Sequence, residues 1–213
     1  MTPKAILFDL DGTLTDSGEG IINCATLALE HFGLPVPDRQ AMRIFVGPPL
    51  RDTLMEFGVK EADVEEAMRV FRSRYVTEGI FENKPYPGIP ELLGKLKEQG
   101  HKLYVATSKP ENMALTVLNH FHISQFFDII AGATMDKSRD SKAAVIAYLL
   151  EQTGDVAQAV MVGDTAFDVI GAAAHGIPTI GVAWGYGKVE DMEKAGAAAI
   201  AQNPDELFDL LQK

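Results

Sequence analysis

The sequence is poor in cysteine and in long apolar runs. Cys24 is the single cysteine among 213 residues, which excludes an intramolecular disulfide framework. The first apolar stretch, AILF, is far shorter than the roughly 18 residues that a membrane-spanning helix needs. Nothing at the N-terminus has the pattern of a signal peptide. We therefore expect a cytoplasmic protein that does not enter a membrane.

Positive charge is also scarce. The chain has 19 Lys and Arg against 30 Asp and Glu, which gives a formal net charge of −11. This balance argues against a nucleic acid polymer or an anionic membrane as a partner, although a small anionic substrate could bind at a local basic site. The acidic surface favours a monomer and leaves a dimer open. The 46% of hydrophobic residues can build one sizeable core, with or without a smaller second domain.

The apolar patterns change character along the chain. KAILFDLD is typical of a short strand, and the residues from Ser17 to about Gly79 follow helical patterns without a convincing strand. After the turn-rich segment ENKPYPGIP, helices alternate with the apolar runs HKLYVATS, FFDIIAG, AVMVGD, PTIGVAWG and AAAIAQ. This alternation predicts an α/β fold with a doubly wound parallel sheet. The domains are then 1–15 with 85–213 as an α/β core, and 16–84 as an inserted helical domain.

Polar residues cluster where the predicted strands end. A doubly wound sheet binds ligands beyond the carboxyl ends of its strands, so these residues are candidates for a site. Side chains two apart on a strand share a face, so the first two acids would repel one another unless something offset their charge. The candidates are Asp9 and Asp11 at the end of the first strand, Thr107 and Ser108 at the end of LYVATS, Asp164 at the end of AVMVGD with Asp168 one helical turn later, and Lys142 at the start of the helix before that strand.

Four of these segments carry a family resemblance. DLDGTLTD, VATSKP, Lys142 and VGDTAFD resemble, in order and spacing, the motifs of the haloacid dehalogenase superfamily of phosphatases. In that family a small helical cap occupies the place of residues 16–84. The segment FVGPPLRDTL makes the chain similar to phosphoglycolate phosphatase-type hydrolases, some of which act on nucleoside monophosphates or pyrophosphate. The resemblance thus implies a phosphatase for small phosphorylated metabolites and leaves the substrate open.

The adjacent carboxylates can divide phosphoryl transfer between them. Asp9 would be the nucleophile that forms an acyl phosphate, and Asp11 would protonate the leaving oxygen and later activate water. Magnesium would offset their repulsion, held by Asp9, by Asp164 and by a backbone carbonyl that the family places at Asp11. Lys142 and the hydroxyl of Thr107 would hold the nonreacting phosphate oxygens, with Ser108 beside them.

Other residues have supporting roles in this interpretation. Gly12 would permit a tight exit from the strand, and Thr13 would hold Asp11 by a hydrogen bond. As the family resemblance implies, Asp168 would orient either Lys142 or a metal-bound water. Arg51, in the loop that matches the family's specificity loop, is the cation that could bind a carboxylate or second phosphate on the substrate. Alternatively, Arg51 pairs with Asp52 or Glu56 on a cap helix.

Rival functions differ in recognisable features. Sugar phosphomutases of the same superfamily carry a cap histidine where this chain has Ile21, and their specificity loop differs from VGPPLR. A phospho-receiver module also combines aspartates, a threonine and a lysine around magnesium, but its phosphorylated aspartate follows a middle strand and it lacks a helical insertion. We therefore predict a magnesium-dependent phosphatase.

Overall fold

The computed structural model describes residues 5–136, 138–153 and 158–213. The start of the predicted first strand and core domain, at residues 1–4, and the end of the predicted helix at Gly154 lie outside these ranges. The chain divides into two compact units, Met1–Thr15 with Pro85–Lys213 and Asp16–Lys84. None of the helices in the described ranges has the length and apolar character to cross a membrane.

In its described residues, the first unit is built on a parallel sheet of six strands. The strand order is β3-β2-β1-β4-β5-β6, and each neighbouring pair is parallel. This confirms the predicted doubly wound sheet and each of its strands. The strands are β1 (Ala5–Phe8), β2 (Lys102–Pro110), β3 (Ile129–Ala133), β4 (Ala159–Gly163), β5 (Thr179–Val182) and β6 (Ala199–Ala201).

The second unit, 16–84, consists of helices joined by loops, and no strand occurs in its described residues. It contains α1 (Gly18–His31), α2 (Leu50–Glu56) and α3 (Val64–Arg74), two 3-10 segments (Ala41–Phe45 and Glu61–Asp63) and a π-helical turn (Tyr75–Gly79). α1 packs against α3 and against the π-helical turn. A Cβ atom on Gly20 would overlap the carbonyl group of Gly79, so glycine is required for this close approach.

Helices cover both faces of the sheet in the first unit. They are α4 (Ile89–Glu98), α5 (Glu111–His120), α6 (Lys142–Thr153), α7 (Ala166–Ala173), α8 (Val189–Ala195) and α9 (Pro204–Leu211). On one face, Leu7 and Met161 pack with Val145 and Leu149 of α6 in a buried cluster. All four residues of β1 are buried, as expected for a central parallel strand covered on both sides.

The topology brings three strand ends together. β1 lies between β2 and β4, and the strand order reverses there, since β2 and β3 extend to one side and β4 to β6 to the other. Residues that follow β1, β2 and β4 therefore meet in the crevice where such sheets bind ligands.

Away from that crevice, Asp128 joins α4, β2 and the start of β3. Its Oδ2 accepts hydrogen bonds from Lys97 Nζ at 2.8 Å and from the Leu103 N–H at 3.0 Å, and its Oδ1 accepts one from Lys102 Nζ at 3.2 Å. Burial favours a raised pKa for Asp128, but these three donors together lower its pKa below the usual aspartate range.

We predict that Asp128→Asn lowers the free energy of unfolding by about 1–3 kcal/mol at neutral pH, because charge-assisted hydrogen bonds are lost. A lowered pKa contributes stability above the unfolded pKa, and this stability is lost as pH falls through the folded pKa. The difference in the free energy of unfolding between the wild type and Asp128→Asn should therefore become smaller in acid. Urea unfolding at neutral pH and at about pH 3 tests this. Asp209→Asn, on the exposed side of α9, is the control, and an equal loss there would contradict the assignment.

Candidate active site

The chain leaves β1 through a tight loop rather than as an extended strand. The N–H of Asp9 still donates to the Val162 carbonyl at 2.9 Å, but the Leu10 carbonyl then accepts from the N–H groups of Leu14 and Thr15. The expectation that both acids project from one face of a strand is therefore wrong, because β1 ends at Phe8. Gly12 turns this loop with φ at +89°, where a Cβ would overlap the Asp164 carboxylate.

Asp9 faces Lys142, the first residue of α6. The Lys142 Nζ lies 2.8 Å from Asp9 Oδ1 and 2.7 Å from Asp168 Oδ1, and it donates to the Ala106 carbonyl at 2.9 Å. Burial disfavours the cation, but the charges of Asp168 and Asp9 raise the pKa of Lys142 above its usual range. The lysine is therefore a permanent positive charge between two buried acids.

Asp11 has a different cation. The Lys109 Nζ lies 2.8 Å from Asp11 Oδ2 and 3.0 Å from its Oδ1, and both side chains are largely buried. The two neighbouring acids thus do not share one lysine. Each has its own ammonium group, which reduces the repulsion expected from their spacing.

Asp164 is enclosed by backbone donors from the loop that follows β5. Its Oδ2 accepts from the N–H of Tyr186 at 2.8 Å and of Gly187 at 3.4 Å, and its Oδ1 accepts from the Thr13 hydroxyl at 3.2 Å. Thr13 was expected to hold Asp11, and the structure differs because its hydroxyl reaches Asp164. Trp184 supports Thr13 by donating its indole N–H to the Thr13 carbonyl at 3.1 Å.

Asp168 combines two contacts at the start of α7. Its Oδ2 accepts from the Thr165 N–H at 3.0 Å and from the Thr165 hydroxyl at 2.8 Å, which forms part of a capping box. Its Oδ1 faces Lys142. The helix start thereby fixes the carboxylate that contacts Lys142.

Thr107 lies at the same edge, near the end of β2, and its side chain is buried. Its hydroxyl oxygen accepts from the Lys109 N–H at 3.2 Å, so the hydroxyl hydrogen can be donated to another acceptor. Ser108 follows with an exposed side chain. Both predicted phosphate-binding hydroxyls therefore belong to the same edge as Asp9 and Asp11.

The site has more negative than positive charge. Among the described residues, four carboxylates, from Asp9, Asp11, Asp164 and Asp168, face two ammonium groups, from Lys109 and Lys142. When all are ionised, two negative charges remain. Burial, with help from the Asp168 charge, raises the pKa of Asp9 to about 6, although Lys142 opposes this. Burial and the charges of Asp168 and Asp9 raise the pKa of Asp164 to about 8.

This donor set fits a hard divalent cation. Carboxylate oxygens of Asp9, Asp164 and Asp168 lie within 4.8 Å of one another and are buried. Magnesium prefers oxygen ligands of this kind, and its two positive charges match the excess. The raised pKa values indicate that, without such a cation, protons must neutralise part of the cluster.

Arg51 lies in the helical unit and contacts acids other than those expected. Its Nη1 is 2.8 Å from Glu65 and its Nη2 is 3.8 Å from Glu61. The alternative role, an ion pair within the helices, is thus present, but its partners are not Asp52 or Glu56 because α3 and the preceding turn supply the acids. A role for Arg51 in substrate binding stays a prediction.

Two parts of the site had no place in the sequence-based interpretation. Lys109 lies in the VATSKP segment, directly after the predicted strand HKLYVATS. That position could have indicated a site residue. The loop Trp184–Gly187 follows β5 at the same edge, where its glycines could have indicated close backbone approach. A Cβ on Gly185 or Gly187 would overlap Asp164.

The chain is similar to known proteins over most of its length. Residues 6–182 match the haloacid dehalogenase-like hydrolase family. A tyrosine-protein kinase, PtkA, from Mycobacterium tuberculosis is 44% identical over 99% of this chain and 73% of that protein. A 5'-nucleotidase from Pseudomonas aeruginosa is 41% identical over 88% of this chain and 86% of that protein. A phosphoglycolate phosphatase from Caulobacter vibrioides is 34% identical over 90% of this chain and 84% of that protein.

The fold is also shared with solved structures. A protein from Clostridium acetobutylicum, described as a predicted phosphatase, superposes with a TM-score of 0.95 at 40% identity and covers 99% of both chains. These matches confirm the predicted resemblance, the fold class and the enzyme class, a hydrolase of phosphoric monoesters. The chain belongs to the haloacid dehalogenase-like hydrolase family.

Proposed function

We propose that this phosphatase is magnesium-dependent and hydrolyses a small phosphate monoester through a phosphoaspartate at Asp9. The observation that carries the proposal is the pair of acids with separate lysines, Asp9 with Lys142 and Asp11 with Lys109. Such a pair offers one carboxylate for attack and another for proton transfer.

The proposed reaction has two steps. An Asp9 carboxylate oxygen attacks phosphorus, the bond to the ester oxygen breaks, and Asp11, which enters this step as a protonated carboxyl group, gives that oxygen its proton. Asp11 then removes a proton from water, which attacks phosphorus and releases phosphate from Asp9. Lys142 and the Thr107 hydroxyl hold the nonreacting phosphate oxygens, with Ser108 beside them.

The remaining acids serve the metal and the lysine. Asp9, Asp164 and the Asp11 carbonyl would hold magnesium, which supplies charge neutralisation for the phosphate when it is bound. We assign Asp168 to the orientation of Lys142, because its oxygens already contact that lysine and Thr165. Gly12 and Thr13 keep the loop close to Asp164.

The leaving group is the open part of the proposal. A phosphoglycolate phosphatase and a 5'-nucleotidase are both among the similar proteins, so a phosphorylated hydroxy acid and a nucleoside monophosphate are the two candidates, with pyrophosphate as a third. We assign residues 16–84 as the cap that selects among them. A cytoplasmic location and a monomeric state stay predictions from the sequence.

We predict that Asp9→Asn abolishes phosphate release from every ester tested, because the nucleophile is lost. Asp11→Asn should lower turnover by about 10²- to 10⁴-fold, with the larger loss for poor leaving groups such as alkyl phosphates. Phosphate release from a panel of esters, with Asp209→Asn as the exposed control, measures both. A fully active Asp9→Asn variant would overturn the mechanism. The similar protein PtkA is named a tyrosine kinase, so the acceptor of the phosphoryl group is also tested. Incubation with ATP and a tyrosine peptide shows whether the phosphoryl group is transferred to water or to tyrosine.

We predict that chelation abolishes turnover and that magnesium raises the melting temperature, because it binds only the folded acid cluster. Calcium should also raise the melting temperature but support little turnover, since its looser coordination can occupy both Asp9 oxygens. Asp164→Asn should reduce the magnesium-induced shift.

The pH dependence of magnesium binding follows from the raised pKa values. Protons on Asp9, with a pKa of about 6, and Asp164, with a pKa of about 8, compete with the cation, so magnesium affinity should rise as pH rises through this interval. Calorimetry in buffers of different ionisation enthalpy would detect the released proton.

The metal assignment as a whole has a simpler test. Phosphate release that is unchanged by chelator would rule it out.

We predict that Arg51→Ala raises KM for phosphoglycolate while hydrolysis of p-nitrophenyl phosphate changes little, if the guanidinium binds the anion of the leaving group. The ion pairs with Glu65 and Glu61 give the competing outcome. Under that outcome the kinetic constants for both substrates change equally, and the melting temperature of the variant falls. Steady-state kinetics on the two esters separates these results.

A further inference from the structure

Lys109 is a buried lysine that pairs with Asp11 but takes part in neither step of the proposed reaction. The exposed fraction of its side chain is 5%, and that of Asp11 is 13%. Its ammonium group contacts both oxygens of Asp11, at 2.8 and 3.0 Å, across 98 positions of sequence. Removing an ammonium and a carboxylate from water carries a large desolvation penalty, so such a pair adds little stability over apolar residues of the same size. Its presence therefore needs a reason besides folding.

The backbone around Lys109 departs from regular strand geometry. Thr107 pairs with Gly132 and Pro110 pairs with Ala133, so β2 advances three residues while β3 advances one. In a regular strand, Thr107 and Lys109 would point to the same face. An irregularity of this kind redirects side chains and is common beside active sites.

Glycine on the neighbouring strand permits this irregularity. A Cβ on Gly132 would lie 2.6 Å from the Lys109 carbonyl oxygen and 2.7 Å from the Glu111 Cα. These distances are too short for a side chain, so β3 admits the bulged backbone of β2 only because Gly132 has none. The bulged backbone also donates the Lys109 N–H to the Thr107 hydroxyl. One local distortion thus arranges a phosphate-binding hydroxyl and the cation beside Asp11.

We propose that Lys109 is a positioning residue that holds the carboxyl group of Asp11, which gives its proton to the leaving oxygen and, once ionised, takes one from water. The proposal rests on the phosphatase mechanism given above. Lys109 itself exchanges no proton and forms no bond to the substrate. By contacting both carboxylate oxygens, its ammonium fixes the rotation of the carboxyl group, and proton transfer depends on that geometry. Lys142 cannot replace it, because Lys142 is engaged with Asp9 and Asp168.

The test is a double-mutant cycle read through the leaving group. The proteins are the wild type, Lys109→Met, Asp11→Asn and the double variant, and the quantity is kcat/KM for an alkyl phosphate and for p-nitrophenyl phosphate. This quantity reports the steps up to cleavage of the ester bond, where leaving-group protonation matters most for the alkyl ester.

Lys109→Met should lower kcat/KM at least about tenfold for the alkyl ester and no more than about threefold for p-nitrophenyl phosphate. In the Asp11→Asn background, the same substitution should change the alkyl-ester value less than about twofold, because the group it positions is already lost. Lys109→Arg should retain more alkyl-ester activity than Lys109→Met, since it keeps the positive charge.

Besides additive losses in the double-mutant cycle, two results would overturn the proposal. Equal losses on both esters would mean that Lys109 only maintains the site, and urea unfolding would then show a matching loss of stability. If Lys109→Met weakened inhibition by orthophosphate to the same extent in the wild-type and Asp11→Asn backgrounds, Lys109 would bind the phosphate itself. Lys188→Met, an exposed lysine before α8, controls for the change in net charge.

The two proposals fail in different ways. If Asp9→Asn remained active, the phosphoaspartate mechanism would fall regardless of Lys109. If Asp9→Asn were inactive and Asp11→Asn showed the leaving-group dependence, but Lys109→Met and Asp11→Asn losses were additive, only the role of Lys109 would fall.

Discussion

Charge balance at the carboxyl edge of the sheet is the constraint on which the rest of this structure depends. Four acids are gathered in a buried region with two ammonium groups. In a low-dielectric setting, each unmatched charge is expensive, and each matched one interacts more strongly than it would in water. The arrangement is therefore stable only when every acid has a defined partner, and the fold supplies these partners from widely separated parts of the chain.

Each acid is matched by a different element of the fold. α6 begins with the lysine for Asp9, irregular β2 supplies the lysine for Asp11, and the loop after β5 gives backbone N–H groups to Asp164. Asp168 is fixed by the start of its own helix. The order of strands around β1 brings these elements together, since β2 and β4 are its two neighbours. Secondary structure, topology and electrostatics thus act at one place.

The sequence was sufficient to predict what depends on local pattern. Apolar runs separated by helical segments revealed all six strands of the sheet, and the position of polar residues after those runs located the edge to which Asp9, Asp164 and Lys142 belong. Ligands bind beyond the carboxyl ends of the strands in a doubly wound sheet, so residues that end the strands can be assigned to the site without knowledge of individual contacts.

Contacts between particular side chains could not be predicted in the same way. The partner of Lys109 depends on a bulge in β2, and the bulge depends on close approach to Gly132, which no periodicity encodes. Thr13 reaches Asp164 rather than Asp11 because the chain turns immediately after β1. Arg51 pairs with acids from α3 and the turn before it, since helix packing and not sequence proximity chooses its neighbours.

The enclosure of Asp164 also has a consequence for the order in which the protein is made. Its carboxylate is held between the loop at Gly12 and the loop at Trp184–Gly187, which lie far apart in the sequence and therefore leave the ribosome at different times. A nascent chain that ends before Trp184 already contains all four acids and both lysines, but it lacks the backbone donors that hold Asp164 in place. Because a unit of this kind folds as a whole, the acid cluster is completed only after the loop at Trp184–Gly187 has been synthesised.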